Sequence, residues 1–238
     1  MRHWSGIVLL AALFEGGLLV VAFALGAVLD TSPFWTLALD AAGVLWGIVA
    51  TGPLLLGLAW SLRAGWRPFE QLTDQVIAIL GASLLRGSVA VFVIVSLVAG
   101  IAEEALFRGV LQSALVESLG AAGAILAAGA LFGLAHAVTP LYSGLAALVG
   151  AYLGLVFHLS GNLVAPVLTH ALYDFVALIW LARLARRRGS TASVPGHAER
   201  EQGQPGVEAA EVVAHDVDVR RQREGLGEPD IVADPEAE

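Results

Sequence analysis

The sequence predicts an all-α protein, a polytopic bundle of about six transmembrane helices with a disordered C-terminal tail. Two observations carry this prediction. Of the 238 residues, 57% are hydrophobic and only 14% are charged, whereas roughly one quarter of the residues in a soluble domain are charged. Several apolar runs also reach the length of about 20 residues that a helix needs to cross a bilayer.

Charge is divided unevenly between the body of the chain and its end. Residues 1–188 contain nine acidic and nine basic residues, whereas residues 189–238 contain twelve acidic and four basic residues. The net charge of −8 therefore belongs to the tail, and the sequence has no basic patch that would bind nucleic acid. Cysteine is absent, which excludes disulfides, thiolate metal sites and a cysteine nucleophile.

The first half of the chain contains two predicted spans and one interfacial helix. Residues 5–29 form the first span, which we interpret as a retained helix rather than a cleaved signal peptide because Glu15 interrupts its apolar run. Residues 34–62 form the second span. Residues 69–86 carry charged side chains among apolar ones, a pattern typical of a helix at the membrane interface. A third span begins near Gly87.

The second half contains a stretch without any charged residue, from position 118 to position 173, that is too long for a single crossing. Helix-breaking residues at 139–140 and 160–162 divide it, and the last span ends near Ala182. Arginines at 63–67 and after the last span indicate cytoplasmic loops. Six spans then place both termini in the cytoplasm, and we expect the protein in the cell membrane. The tail is expected to be disordered because it cannot bury enough apolar surface.

Two carboxylates and a guanidinium occur together where the third span ends, as Glu103, Glu104 and Arg108. Each charge costs about 2.5–3.5 kcal/mol at the centre of a membrane helix, so these groups must be paired or reach water. Glu104 and Arg108 are four residues apart and share a helix face, so we expect Arg108 to hold Glu104. Glu103 is left in an apolar setting that favours proton uptake, which suits a general base for water. A structural ion pair between helices is the alternative.

Two histidine motifs follow on later spans. Phe132 and His136 are one helical turn apart, and so are His170 and Asp174. Asp174 can reach the imidazole of His170 and fix its tautomer. A single histidine in a membrane helix is often only a hydrogen-bonding partner of another helix. Two histidines and three acids on three spans are, however, the ingredients for activating water and stabilising an oxyanion.

In their order and spacing, these three motifs resemble the CPBP family, the CAAX-protease and bacteriocin-processing group that is also called Abi proteins. Residues 107–109 and 161–166 are similar to the family's surrounding sequence. The resemblance covers about residues 88–178. It implies an intramembrane endopeptidase that cleaves membrane-associated substrates, CAAX-prenylated or bacteriocin-like. The implied partners are membrane lipid and a membrane protein or peptide substrate, without nucleic acid.

The resemblance also implies a role for each motif residue. Glu103 corresponds to the glutamate that activates water, and His136 to its partner on that water. His170 and Asp174 correspond to the pair that stabilises the oxyanion, although the family often has asparagine at the last position and Asp174 cannot donate an amide hydrogen bond. The supporting residues are Glu104, Arg108 and Phe132.

The involvement of a metal is left open by the sequence. Family members are commonly described as metalloproteases, yet the glutamate can activate water by itself. Glu103, His136 and His170 would be an acceptable ligand set for a divalent metal such as zinc. The sequence contains no His-Glu-x-x-His motif, which argues against the usual zincin arrangement.

From these motifs we divide the chain into three regions. Residues 1–86 are N-terminal membrane helices with the interfacial helix, residues 87–182 are a CPBP-like catalytic membrane core, and residues 183–238 are a basic stop followed by the acidic tail. Two other functions stay compatible with the motifs, a proton-coupled transporter and a non-catalytic membrane scaffold. A proton relay needs residues spread across the bilayer, whereas hydrolysis needs them around one water.

Several polar residues lie outside the motifs. We interpret Glu15 and Asp40 as hydrogen-bonding residues of helix packing, with a polar face toward the cavity as the alternative, and His158 as a polar residue at the end of a span. Residues 142–144 invite comparison with serine peptidases, but their neighbour at 141 is leucine where glycine would be needed. Straight helices do not bring the two motif histidines to one depth. We therefore expect a helix tilted or broken at Gly109, with its continuation along the interface.

Overall fold

The computed structural model describes residues 2–191, and within this part of the chain all regular elements are helices. The predicted all-α class is confirmed, whereas the predicted disordered tail lies outside the described residues. The helices are α1 (Arg2–Val28), α2 (Ala41–Arg63), α3 (Arg67–Leu85), α4 (Val89–Glu104), α5 (Ser113–Ala135), α6 (Pro140–Ser160) and α7 (Val164–Thr191). A π-helical segment, Ala105–Gln112, joins α4 to α5 without a break.

Five stretches of the described chain are long and apolar enough to cross a membrane. These stretches are Leu9–Val28, Ala41–Arg63, Val89–Ala135, Pro140–Ser160 and Val164–Arg188. Large side chains on them face outward, and Leu126, Leu134 and Leu148 are each 66% to 69% exposed. Such surfaces are stable against lipid tails but not against water. The protein is therefore an integral membrane protein, and α3, the predicted interfacial helix, is not among these stretches.

The longest stretch spans 47 residues and folds back on itself at Gly120. Gly120 has φ +68° and ψ 170°, outside the helical region and in a conformation that favours glycine. The rings of Phe107 and Phe132, which lie on either side of Gly120, are only 5.0 Å apart. Residues 121–135 therefore return antiparallel to the arm before the bend. These two arms and the other four stretches agree with the predicted count of about six spans.

The expected break at Gly109 is absent, because the chain passes this residue as a buried π-helical turn. A Cβ atom at Gly109 would collide with the carbonyl oxygen of Pro33. Glycine is therefore needed here for a close approach between chain segments rather than for a break in the helix. On the same segment Leu106 and Phe107 pack against Ala22 of α1, so α1 covers the π-helical segment.

Glycines let α5 and α6 pack closely against each other. A Cβ atom at Gly129 would lie 2.7 Å from the backbone nitrogen of Ala151, and one at Gly133 would lie 2.6 Å from the carbonyl oxygen of Ser143. Small residues that let backbones approach are the usual means of packing helices in membranes. This packing holds the end of α5, where His136 lies, beside the beginning of α6.

Asn162 joins the loop before α2 to the beginning of α7. Its amide nitrogen donates to the carbonyl oxygen of Ala38 at 2.7 Å and to Asp40 Oδ2 at 3.3 Å, and its Oδ1 accepts from Val164 N at 2.9 Å. Asp40 also caps the first turn of α2, so α2 begins at Ala41, later than the sequence predicted. Asp40 is thus a structural hydrogen-bonding residue.

The last helix is longer than predicted, because α7 continues past Ala182 through the basic cluster to Thr191. Arginine is a good helix former, so this cluster extends the helix instead of ending it. Arg188 pairs with Asp74 of α3, which ties the interfacial helix to the end of α7. An apolar cluster lies nearby on α3, α4 and α7, formed by Leu84, Leu85, Phe92, Leu178, Leu181 and Ala182.

We expect Gly129→Ala to lower the stability of the bundle by about 1–3 kcal/mol, the usual cost of overpacking, because the added methyl group meets the backbone of α6. Gly144→Ala is the matched control, since a Cβ there meets no atom within 4 Å. Thermal unfolding of both variants in detergent measures the difference. Equal midpoints for the two variants would contradict the close packing of α5 on α6.

Candidate active site

Phe132 lies between the two motif histidines. Its ring stacks on His136 with centroids 4.4 Å apart and an interplanar angle of 22°, and it meets the ring of His170 edge-on at 5.9 Å. His136 follows the last turn of α5 and His170 lies on α7. The fold therefore brings the second and third motifs together around one aromatic ring, which contacts both imidazoles.

Glu104 is the centre of a buried hydrogen-bond network. Arg108 Nη1 donates to Glu104 Oε1 at 2.8 Å, and His170 Nδ1 lies 2.9 Å from the same oxygen. The side chains of Glu104 and Arg108 are completely buried. Arg108 also donates from Nη2 to the carbonyl oxygen of Gly150 on α6. One carboxylate and one guanidinium thus connect α4, the π-helical segment, α6 and α7.

Aromatic rings line the buried guanidinium of Arg108. Its Cζ lies 5.0 Å from the centroid of Phe132 and 6.0 Å from that of Phe107. A cation over an aromatic face is stabilised by the ring quadrupole, and more strongly where water is excluded. Phe132 therefore contacts both the cation that holds Glu104 and the two histidines.

His170 faces a carboxylate at each ring nitrogen. Its Nδ1 contacts Glu104 as described, and its Nε2 lies 3.4 Å from Asp174 Oδ2, one helical turn further along α7. Ionised carboxylates only accept hydrogen bonds, so the imidazole satisfies both contacts only when it carries both protons. The structure thus gives His170 a fixed orientation between two acids.

Glu103 and His136 face each other across a gap. Glu103 Oε2 lies 3.7 Å from His136 Nε2, which is too far for a hydrogen bond. His136 Nδ1 lies 2.9 Å from the carbonyl oxygen of Phe132, and because a carbonyl only accepts, this nitrogen carries the proton. In a neutral imidazole, the lone pair of Nε2 then faces the carboxylate. Glu103 Oε2 is buried and has no hydrogen-bond partner among the described residues.

Glu103, His136 and His170 do not fit a metal as they are arranged. No group of three or more His, Asp or Glu side chains in the described part of the chain is positioned to hold a metal ion. Both nitrogens of His170 face carboxylates, so neither nitrogen is directed at a centre shared with Glu103 and His136. Those two side chains supply two donors, whereas catalytic zinc sites use three protein ligands.

Two residues that the motifs did not single out lie close to this cluster. Glu15 of α1 is buried, its Oε2 has no hydrogen-bond partner among the described residues, and it is within electrostatic range of His170 and Asp174. Tyr142 of α6 meets the ring of His136 edge-on at 6.2 Å. An ionisable residue inside a membrane helix is a functional candidate by default, and Glu15 carried that signal in the sequence. His158, in contrast, is exposed at the end of α6.

Comparison with known proteins yields a family match to the part of the chain that holds this cluster. Residues 85–176 match the Rce1-like family, described as type II CAAX prenyl endopeptidase Rce1-like. The matched segment contains all three motifs. The chain matches no curated protein and no solved structure. The match confirms the resemblance carried by the motifs and supports a general endopeptidase activity in the membrane. Over residues 85–176 this chain is similar to the Rce1-like CAAX prenyl endopeptidases.

Proposed function

We propose that the protein is an intramembrane endopeptidase in which Glu103 activates the hydrolytic water. The observation that supports this is the pair of facing acceptors, Glu103 Oε2 and His136 Nε2, 3.7 Å apart. A water molecule has two hydrogens, so it can donate one to the carboxylate and one to the imidazole lone pair. Held in this way, it presents an oxygen lone pair to a substrate carbonyl carbon.

The reaction then follows in two steps. The water oxygen bonds to the carbonyl carbon while Glu103 takes one water proton, and the electron pair of the carbonyl double bond moves onto the oxygen. The electron pair on the oxygen then re-forms the carbonyl double bond while the carbon–nitrogen bond breaks, and the proton on Glu103 passes to the leaving nitrogen. One water is consumed, and the products are a carboxylic acid and an amine. Glu103 returns to its starting state.

The other cluster residues support this reaction by charge and position. We assign His170 and Asp174 to the oxyanion side, where a protonated His170 provides positive charge close to the developing oxyanion. Buried Arg108 pairs with Glu104 and so holds in place the carboxylate that contacts His170. Fixed charges in a site without bulk water stabilise a developing charge far more than they would in solution. No step of this mechanism uses a metal.

Peptides attached to the membrane, CAAX-prenylated or bacteriocin-like, are the proposed substrates. A prenyl chain partitions into lipid, where the apolar outer faces of the helices lie. Arginines at the end of α2 and in α7 favour a cytoplasmic location for that end of the bundle, and Arg188 contacts α3 at the same end. We therefore propose the cell membrane as location, with both termini cytoplasmic. The regions before residue 87 and after residue 182 would lie outside the catalytic core.

The rival function of a proton-coupled transporter has less support. A relay needs titratable groups at successive depths of the bilayer, whereas the two histidines here contact one ring, that of Phe132, and three acids lie 2.9–3.7 Å from those histidines. A non-catalytic scaffold, the remaining alternative, would need no general base. The following experiment separates these three functions.

We expect Glu103→Gln to reduce the cleavage rate by about 10²–10⁴-fold, the usual contribution of a general base. Glu117→Gln is the control, because Glu117 is an exposed acid on the same long helical stretch. The assay uses purified protein in detergent or vesicles with a prenylated CAAX peptide and a pool of membrane peptides, and thermal unfolding verifies the fold of each variant.

Full cleavage by Glu103→Gln would show that the base is wrongly assigned. A wild-type protein that cleaves no peptide would contradict the peptidase function itself. Ion flux in sealed vesicles that disappears in the same variant would instead favour the transporter.

We expect removal of metal to leave the cleavage rate unchanged, because both nitrogens of His170 already face carboxylates. The measurement is peptide cleavage after dialysis against EDTA and 1,10-phenanthroline, with a known zinc endopeptidase treated in parallel as the control. Loss of activity that added zinc restores would contradict the metal-free mechanism. Glu103, His136 and a rearranged His170 would then be the ligands to test.

A further inference from the structure

The pair assigned to the oxyanion side lacks a free hydrogen-bond donor. His170 directs one ring nitrogen to Glu104 and the other to Asp174. Asp174 itself is a carboxylate, which only accepts hydrogen bonds when ionised. These residues therefore supply charge to the oxyanion but no N–H group that is free to point at it. Oxyanion sites usually include at least one such donor.

Tyr142 carries an O–H donor next to the same cluster. It lies in the first turn of α6, where its backbone nitrogen donates to the capping hydroxyl of Thr139 at 3.2 Å. Its ring meets His136 edge-on, with centroids 6.2 Å apart and an interplanar angle of 75°. The side chain is half-buried, and among the described residues its hydroxyl forms no hydrogen bond. Tyr142 is thus held in place by its backbone and ring while its donor stays available.

Tyr142 lies near both parts of the cluster, the Glu103–His136 pair and the His170–Asp174 pair. Its ring contacts His136, whose Nε2 lies 3.7 Å from Glu103 Oε2, and it interacts electrostatically with Glu103 and Asp174. A substrate carbonyl attacked by a water between Glu103 and His136 would therefore form its oxyanion near this ring. A neutral phenol is also cheaper to bury in an apolar site than another charge would be.

We propose that Tyr142 is a further catalytic residue, whose phenolic O–H donates a hydrogen bond to the oxyanion formed on the substrate carbonyl. This inference rests on the proposed peptidase function. The O–H bond stays intact throughout, so no proton is transferred and the balance of the hydrolysis is unchanged. The hydrogen bond strengthens as negative charge develops on the oxygen, and it therefore lowers the barrier more than it stabilises the bound substrate.

The chain offers matched controls for this residue. Tyr152 lies on the same helix, but its hydroxyl donates to the carbonyl oxygen of Ala50 at 2.7 Å, so it has a structural partner. Tyr173 precedes Asp174 on α7 and is within electrostatic range of Asp174 and Tyr142. Replacing each tyrosine with phenylalanine removes only a hydroxyl group. The three variants therefore compare three positions with the same chemical change.

We expect Tyr142→Phe to lower kcat by about 10²–10³-fold, as for loss of one oxyanion donor, with little change in KM or in thermal stability. Tyr152→Phe and Tyr173→Phe should keep the wild-type kcat. Binding of a peptide phosphonate, which carries a tetrahedral anionic centre, gives a second readout. Tyr142→Phe should weaken binding of the phosphonate by a factor similar to the loss in kcat. Binding of the peptide substrate is compared in proteins that carry Glu103→Gln, so that the peptide is not cleaved. In these proteins, adding Tyr142→Phe should leave peptide binding unchanged.

Three outcomes would overturn the inference. Wild-type kcat in Tyr142→Phe would exclude its hydroxyl as the donor while leaving the peptidase function intact. A selective loss of kcat in Tyr173→Phe would assign the donor to α7 instead. A wild-type protein that cleaves none of the peptides would refute the proposed function, and this inference would fall with it.

Discussion

The site depends on one shared oxygen, Oε1 of Glu104, which contacts both Arg108 and His170. Burying a charge without a partner costs several kcal/mol. The carboxylate, the guanidinium and the imidazole are therefore tolerated inside the bundle because they pair with one another. Arg108 also reaches the backbone of α6 at Gly150. The network therefore fixes the relative positions of α4, the π-helical segment, α6 and α7, and loss of any one partner removes a hydrogen bond from a buried charge.

Two backbone features bring the remaining residues to this network. The reversal at Gly120 makes the second arm of α5 short, so His136 ends level with Glu103 instead of at the far side of the membrane. The close approach of α5 and α6 at Gly133 then holds His136 beside Tyr142. The sequence placed His136 and His170 at different depths and suggested a break at Gly109 to reconcile them. The structure instead bends the chain at Gly120, eleven residues later.

Contacts within one helical turn could be predicted from the sequence, and contacts between helices could not. The spacing of four residues correctly placed Arg108 on Glu104 and His170 near Asp174. The contact between Glu104 and His170 joins positions 66 residues apart, and no local pattern indicates it. The bend likewise depends on a single glycine among 27 in the chain, and only tertiary packing distinguishes it from the others.

The unpaired oxygens of the cluster argue for a ligand rather than a purely structural ion pair. Oε2 atoms of Glu15, Glu103 and Glu104 are all buried and lack hydrogen-bond partners among the described residues. Each such group costs about 1–3 kcal/mol, and folded proteins rarely leave several of them together. A network that served only to lock helices would gain stability from satisfying or removing them. Their persistence in one cluster is expected if water and a substrate peptide supply the missing hydrogen bonds during the proposed catalysis.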